Sequence, residues 1–427
     1  MTRLALQRPP ALLRAYPNLF YGWVVMGGAS LLAFVVVGVG FYCLAVLLDG
    51  LCREHGWPTT SVALATSLFF VTSGLAGALV GLGVDRFGPR VFFVPGALLM
   101  ACALVWIGRI DEPWQLNLAY PLLAVGFAMA GTVPNNALVT RWFVARRALA
   151  MSVSQTGVSL GGIVLVPVAA ALIIEHGVGA ATRGLAGLVL AVTVIATLFL
   201  VRSSPESVGQ RPDGLFAPAP GDHEQFDRQQ RVWSTREILA ARAFWVAVLA
   251  FSGILICQVA MAMHQFAMLR ERLEPATAAF AVSTTAAGSI VARLVVGRFA
   301  DRWNKRRLGS VLMLIQAIAL LMFAGSTGPW TMFGASLIFG FTIGNIFMLQ
   351  SLIVGELFGM KSFGKAFGLL QLLTQTTSGL GPYLLSLLVE SFGGYQRGLL
   401  PLAGLAVVSA GVLSRLRPPS QSPWRPV

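Results

Sequence analysis

The sequence predicts an all-α integral membrane protein with twelve transmembrane helices, arranged as two six-helix bundles related by pseudo-symmetry. Three observations lead to this fold class. The chain has 427 residues, of which 56% are hydrophobic and 11% are charged, whereas soluble domains carry about 25% charged residues. Continuous apolar segments of about twenty residues, each long enough to cross a bilayer as a helix, recur along the chain. A polar loop motif also occurs twice, about half a chain apart.

The apolar segments place the helices in chain order. Lipid admits only helices and closed barrels, and the continuous runs exclude the alternating pattern of barrel strands. One long polar stretch, Arg202 to Arg242, is rich in Pro, Gly and charge, which is typical of a linker. We therefore expect an N-terminal bundle over 1–203, a cytoplasmic linker over 204–240 and a C-terminal bundle over 241–427. The predicted helices cover 21–47, 59–84, 90–109, 115–139, 146–175, 180–201, 241–268, 276–299, 308–326, 329–354, 364–389 and 395–414.

The basic residues predict the orientation of these helices. With the N-terminus in the cytoplasm, 24 of the 31 Lys and Arg residues lie on the cytoplasmic side and six lie outside, and Arg293 is left within a span. This excess indicates that both termini are cytoplasmic. The same asymmetry accounts for the net charge of +14 without a nucleic-acid partner. Scarce lysine and short loops favour a multi-pass protein of a bacterial inner (cytoplasmic) membrane.

The duplicated loop motif indicates an internal repeat. GLGVDRFGPR at 81–90 and GRFADRWNKR at 297–306 both read Gly, three residues, Asp-Arg and a basic end, and Asp85 and Asp301 are 216 residues apart. A second pair, SQTGVSLGG at 154–162 and TQTTSGLGP at 374–382, has an offset of 220. Two halves related by an axis along the membrane normal explain both offsets, as in transporters with parallel repeats.

These motifs also carry a family resemblance. The two G-x-x-x-D-R loops, placed after the second and eighth predicted helices, resemble those of the major facilitator superfamily. NLFYGWVV at 18–25 and RWFVARRALAMSVSQTG at 141–157 further resemble its monocarboxylate-porter and oxalate/formate-antiporter branches. The resemblance covers nearly the whole chain apart from the linker and termini. It implies the major facilitator fold, transport by alternating access and no cofactor.

The resemblance further implies that the paired Asp-Arg loops are cytoplasmic gates. Asp85 and Arg86 would pair with groups at the start of the eleventh helix when the cytoplasmic side is closed. Asp301 and Arg302 would do the same against the other half, and Arg90 forms the basic end of the first loop. An acid can stabilise a helix N-terminus, and short ion pairs can form and break as the halves move. A tight turn with solvated charges is the alternative interpretation.

Arg293 is a permanent cation inside the apolar stretch IVARLVVGRFAD at 290–301. It lies eight residues before Asp301, which places it about 12 Å into a hydrocarbon core about 30 Å thick. An arginine at that depth costs at least about 2.5–3.5 kcal/mol, and none of the 17 acidic residues falls in the middle of a predicted span. An anionic substrate would supply a counter-charge, since a guanidinium can donate two parallel hydrogen bonds to a carboxylate. A structural arginine bonded to backbone carbonyls is the alternative.

The same stretch resembles the eighth helix of monocarboxylate porters, in which an arginine contacts the substrate carboxylate, and Arg293 stands at the matching position. Oxalate exchangers carry a second cation, a lysine in the eleventh helix, and this chain has no cation there between Gly368 and Leu388. A single cation favours a monoanion over a dianion as substrate. Other polar side chains in or near the spans are weaker candidates for substrate contact, and helix–helix hydrogen bonding or packing is the alternative for each. These are Asn345, Gln375, Gln155, Tyr42 and His264, of which His264 is also a candidate proton carrier.

The sequence therefore predicts a secondary transporter that moves a small organic anion, expected to be a monocarboxylate, by alternating access, with or without a proton. A dicarboxylate or anion exchanger of the oxalate-formate type and export of another small solute are the alternatives, and symport, antiport and uniport stay open. An enzyme is not expected, because the four histidines are scattered at positions 55, 176, 223 and 264. The four cysteines show no metal-ligand spacing, so no metal site is expected. We expect a monomer in the lipid bilayer.

Overall fold

The structure, a computed structural model, describes residues 19–57, 59–214, 232–326 and 328–417. The predicted basic N-terminus, much of the polar linker and the C-terminal tail fall outside these ranges, so the positions of both termini stay predictions. Over the described ranges the regular elements are helices and no strand occurs, which confirms the all-α class. The helices correspond one by one to the twelve predicted spans.

The first four spans are numbered α1 to α4. Helix α1 runs over Gly22–Val37, widens into a π-helical turn and continues to His55, beyond its predicted end at 47. Gly56, in the left-handed conformation with φ of 67°, ends it. Helices α2 and α3 cover Thr59–Phe87 and Arg90–Ile107, and α4 consists of Pro113–Ala130 and Thr132–Trp142, separated at Gly131.

The fifth and sixth spans form one helical run, Arg147–Ile195, interrupted only at Gly177. Gly177 has φ of 77° and ψ of 168°, a backbone conformation that a residue with a β-carbon rarely adopts. The break falls in the predicted gap between 175 and 180. We call the part at 147–176 α5 and the part at 178–195 α6; a π-helical turn, Ala196–Leu200, closes α6.

The C-terminal spans follow a short helix at Thr235–Ala240. They are α7 at Arg242–Arg270, α8 at Pro275–Ala300, α9 at Lys305–Gly325, α10 at Pro329–Phe358, α11 at Phe363–Ser378 with Gly381–Phe392, and α12 at Tyr395–Ser414. Helix α11 was expected to be continuous over 364–389 but is divided by a turn. The reason is Pro382, which has no N–H to donate to the Ser378 carbonyl and whose ring disfavours a continuing helix.

Ten helical runs among the described residues are long and apolar enough to cross a membrane. One of them, Arg147–Leu200, holds both α5 and α6, and the divided α11 is not among the ten. When Arg147–Leu200 is counted as two spans and α11 is added, the twelve predicted spans are present.

The chain forms two compact units. The N-terminal unit extends to Trp233 and also includes Gly359–Leu369, the start of α11. The C-terminal unit consists of Ser234–Phe358 and the chain from Leu370 onward. Helix α11 is therefore shared between the units, with its first turns packed in the N-terminal one.

Within the N-terminal unit, α1 and α5 approach each other closely along a pair of glycines. A β-carbon at Gly157 would overlap the carbonyl oxygen of Ser30, and one at Gly161 would overlap that of Phe34. Small residues four apart allow helix backbones to touch, which is a common way to pack helices in lipid, where the hydrophobic effect does not drive association.

We predict that Gly157→Ala lowers the free energy of unfolding by about 1–3 kcal/mol, because the added methyl group forces α1 and α5 apart. The control is Gly187→Ala on α6, whose β-carbon would meet nothing within 4 Å. That control should be neutral or gain up to about 1 kcal/mol from helix propensity. Thermal unfolding of both variants in detergent micelles measures the difference, and equal midpoints would contradict the close packing.

Candidate functional site

Arg293 lies on the buried face of α8. Its side chain is 2% exposed, and Ala292 and Val296 on the same face are 0% and 4% exposed. The opposite face carries Val291 and Val295, which are 59% and 47% exposed. The guanidinium is therefore enclosed by the protein, and the exposed apolar face of α8 points the other way.

Arg293 lies close to the middle of an apolar helical run. The membrane-crossing part of α8 is Phe280–Ala300, a run of 21 residues. Arg293 lies three residues beyond the middle of this run, which is about 4.5 Å along the helix axis. A buried charge is thus placed close to the centre of an apolar span.

Glycines on α10 make room for the arginine. A β-carbon at Gly344 would overlap Nε of Arg293, so the guanidinium lies directly against the α10 backbone. One turn earlier, a β-carbon at Gly340 would overlap the carbonyl oxygen of Thr285 on α8. The two glycines bring α8 and α10 together and leave space for a long side chain between them.

Asn345 follows Gly344 in the chain and is fully buried. Its Nδ2 donates a hydrogen bond of 2.9 Å to the carbonyl oxygen of Phe341, which sets the orientation of the amide. Among the described residues its Oδ1 has no hydrogen-bond partner. A buried acceptor with spare capacity therefore lies on α10 next to the position that contacts Arg293.

Two further buried amides in the C-terminal unit hold helices together. Gln258 donates to Gln316 at 3.0 Å, and Gln265 donates to Thr285 at 2.7 Å and to Ser336 at 3.1 Å. These bonds join α7 to α8, α9 and α10. They support the alternative of helix–helix hydrogen bonding for this layer of amides.

His264 is bonded on both ring nitrogens near the C-terminal end of α7. Nδ1 is 2.9 Å from the hydroxyl of Tyr395, and Nε2 is 3.1 Å from the carbonyl oxygen of Pro382. Its chain neighbour Gln265 bonds Thr285, which is eight residues from Arg293 along α8, about 12 Å. His264 and Arg293 are therefore well separated along the helix axes of the C-terminal unit.

The other residues predicted to contact the substrate lie in different parts of the protein. Gln375, on the first part of α11, is partly buried and its side chain forms no hydrogen bond with the described residues. In the N-terminal unit, Gln155 Nε2 donates 2.9 Å to Asn136 Oδ1, and the Tyr42 ring lies against Gly162. The structure thus places Asn345 next in the chain to the glycine that contacts Arg293, and it places Gln155 and Tyr42 in the other unit.

Sequence reasoning missed Gln350, five residues beyond Asn345 on α10. It is fully buried, donates 3.2 Å to Thr374 on α11, and its Oε1 has no partner in the described part of the chain. An amide in the middle of an otherwise apolar helix was the available signal.

The first Asp-Arg loop meets the start of α11 within the N-terminal unit. Asp85 accepts hydrogen bonds from the backbone N–H groups of Gly364 and Lys365, at 2.8 and 2.9 Å. The backbones of Gly81 and Gly364 are in contact beside it. A carboxylate at a helix N-terminus is stabilised by the free N–H groups and the helix dipole. Asp85 therefore caps α11, at the position that the family resemblance implied.

The other residues of the two loops form local contacts. Arg86 is exposed over the ring of Phe87, 5.0 Å from its centroid, and Arg90 Nε donates 3.1 Å to the Thr197 carbonyl oxygen. Asp301 ends α8, its carbonyl oxygen accepts from Lys305, and Arg302 is exposed. Sequence reasoning missed Arg141, whose Nη2 donates 2.9 Å to the carbonyl oxygen of Val84, beside Asp85.

The chain is similar in sequence to transporters over most of its length. An MFS-type transporter from Gibberella moniliformis is 26% identical, covering 93% of this chain and 91% of its own. The oxalate:formate antiporter of Oxalobacter formigenes is 24% identical (87% and 86%), and monocarboxylate transporter 13 of Bos taurus is 26% identical (94% and 90%).

The fold is similar to that of a solved transporter. The crystal structure of the E. coli fucose:proton symporter FucP matches with a TM-score of 0.67 at 16% identity, over 91% of this chain and 98% of that chain. The sequence profile of the Major Facilitator Superfamily matches residues 30–274 and 260–426. These matches cover most of the chain and confirm the resemblance read from the Asp-Arg loops. The protein therefore belongs to the Major Facilitator Superfamily of transporters.

Proposed function

We propose that the protein is a secondary transporter of a small organic monoanion and that Arg293 binds the substrate carboxylate. The observation that carries this proposal is a guanidinium that is 2% exposed near the middle of an apolar span. Ionisable groups at this depth are costly and usually mark substrate or ion pathways. The guanidinium offers parallel donors that match the two oxygens of a carboxylate.

Asn345 narrows the class of substrate that we expect. Its spare Oδ1 can only accept a hydrogen bond, and an ionised carboxylate has no hydrogen to donate. A hydroxyl group on the substrate would satisfy this acceptor while Arg293 holds the carboxylate. A hydroxy-substituted monocarboxylate such as lactate is therefore the preferred class.

The names of two relatives support an anionic substrate. One is a monocarboxylate transporter and the other exchanges oxalate and formate. Anion exchange is therefore the second candidate for this chain, and it differs from proton-coupled uptake in requiring an anion on both sides of the membrane. Uptake into vesicles with and without internal anion separates the two.

The Asp-Arg loops are proposed as gates of the cytoplasmic side. Asp85 is bonded to the N-terminus of α11, and breaking these bonds would release the start of that helix. The excess of basic residues on this side of the protein favours a cytoplasmic position for these loops. A monomer in a bacterial inner membrane is part of the same proposal.

Replacing Arg293 should remove transport. We expect Arg293→Ala to weaken lactate uptake about 10–100-fold, the loss of a charge-assisted hydrogen bond of about 1.5–3 kcal/mol. Arg293→Lys should lose less uptake, since lysine keeps the positive charge but cannot donate two parallel hydrogen bonds to a carboxylate. Uptake of labelled lactate into proteoliposomes measures both, with the exposed Arg298→Ala on the same helix as control. Normal uptake by Arg293→Ala would refute the assignment.

The glycine that supports the arginine provides a second test. Gly344→Ala keeps every charge but places a methyl group on Nε of Arg293, so we expect the apparent lactate affinity to fall by about tenfold, equivalent to about 1.4 kcal/mol. Gly334→Ala on the same helix is the matched control, because its β-carbon would meet only the end of Met322, at 3.6 Å. Equal affinities for the two variants would show that Arg293 does not need this surface.

The capping role of Asp85 can be tested by hydrogen exchange. Asp85→Asn loses the charge-assisted bonds to the N–H groups of Gly364 and Lys365, each worth about 1.5–3 kcal/mol. We expect faster amide exchange over 364–368, measured by mass spectrometry, with little change elsewhere. The exposed Asp111→Asn serves as control. Unchanged exchange over 364–368 would argue against the cap.

A further inference from the structure

A cavity that Arg293 does not line lies in the C-terminal unit. It has a volume of about 400 Å³ and lies between the end of α7, the adjoining parts of α9 and α10, and the turn that joins α11 to α12. These are the helix ends opposite the Asp301 loop, so with the predicted orientation the cavity opens on the outer side. Its volume is within the range of about 300–1,000 Å³ typical of small-molecule sites. We call it the outer cavity.

Two arginines line the outer cavity. Arg272, after α7, donates to the carbonyl oxygen of Ser326, and Arg397 is in the first turn of α12. Neither guanidinium forms an ion pair with a carboxylate among the described residues. Glu271 is the acidic residue of the lining. The charged groups of the cavity therefore sum to a net positive charge, which favours an anionic ligand.

The deeper wall of the outer cavity is apolar. Phe323 and Met332 are each 3% exposed, and Met268 is 6% exposed, whereas Phe392 is 47% exposed. Apolar walls with a few convergent polar groups are characteristic of sites for small organic ligands. The wall would take the apolar body of a ligand, and the arginines would hold its charged group.

Tyr395 connects the outer cavity to His264. Tyr395 lines the cavity and its hydroxyl is 2.9 Å from His264 Nδ1. Because His264 Nε2 faces the Pro382 carbonyl oxygen, Nε2 carries the hydrogen, and in the neutral ring Nδ1 accepts from Tyr395. This hydrogen bond fixes the position of the Tyr395 hydroxyl in the lining of the cavity.

We propose that the outer cavity binds a small organic anion with an apolar body through Arg272 and Arg397. The Tyr395 hydroxyl and Glu271 are further polar groups of the lining. The carboxylate class of the ligand rests on the proposed function, whereas the cavity itself does not.

The test uses the full-length Arg293→Ala variant, which removes the proposed central site. Binding of radiolabelled benzoate to this protein in detergent should persist, and it should weaken at least tenfold when Arg272→Gln and Arg397→Gln are added. The control addition is Arg270→Gln, whose guanidinium stacks 5.7 Å over Phe266 and does not line the cavity. Equal melting temperatures establish that the variants are folded.

Two results would overturn the outer site: loss of all benzoate binding in Arg293→Ala alone, or binding unaffected by the Arg272 and Arg397 changes. If the unaltered protein fails to transport lactate while Arg293→Ala still binds benzoate, the proposed function is contradicted and the outer site is not.

Discussion

The arrangement of the C-terminal unit depends on keeping one guanidinium in an apolar environment. A charge near the centre of a span is costly in hydrocarbon, so Arg293 must be covered by protein. Helix α8 turns that residue inward and its valines outward, and α10 presents Gly344 at the point of contact. A larger residue on α10 would displace the side chain. Because Gly344 has no side chain, the Arg293 guanidinium can lie against the backbone of α10.

Close backbone contact between helices occurs at several places in the N-terminal unit. Gly157 brings α1 against α5, and Gly81 and Gly364 bring α2 against the start of α11. In lipid, association is driven by close packing and hydrogen bonds because neighbouring tails are as apolar as the side chains. At the second of these contacts Asp85 also caps α11, so packing and a charge-assisted cap act at the same place.

The amides buried in the spans of the C-terminal unit differ in how completely they are hydrogen-bonded. Gln265 donates to Thr285 and Ser336 on two neighbouring helices, and such bonds fix the packing of the bundle. Gln258, Asn345 and Gln350 each donate a hydrogen bond and leave an oxygen without a partner in the described chain. Buried polar groups are nearly always hydrogen-bonded, so these oxygens mark places where a ligand or water can complete the structure. The distinction could not be made from composition, since all four are amides in apolar helices.

The sequence by itself determined the class of fold, the twelve spans, the internal repeat and the position of Arg293 within an apolar run, because these follow from hydropathy, charge and spacing along one helix. It also indicated the family through the repeated Asp-Arg loops. Only the tertiary structure decided that Arg293 lies against Gly344, that His264 is bonded to Tyr395, that α11 is divided before Pro382, and that two arginines distant from Arg293 line a cavity. The physical reason is that periodicity records which face of a helix is apolar, whereas the partner of each buried polar group depends on which helices pack together and how closely their backbones approach.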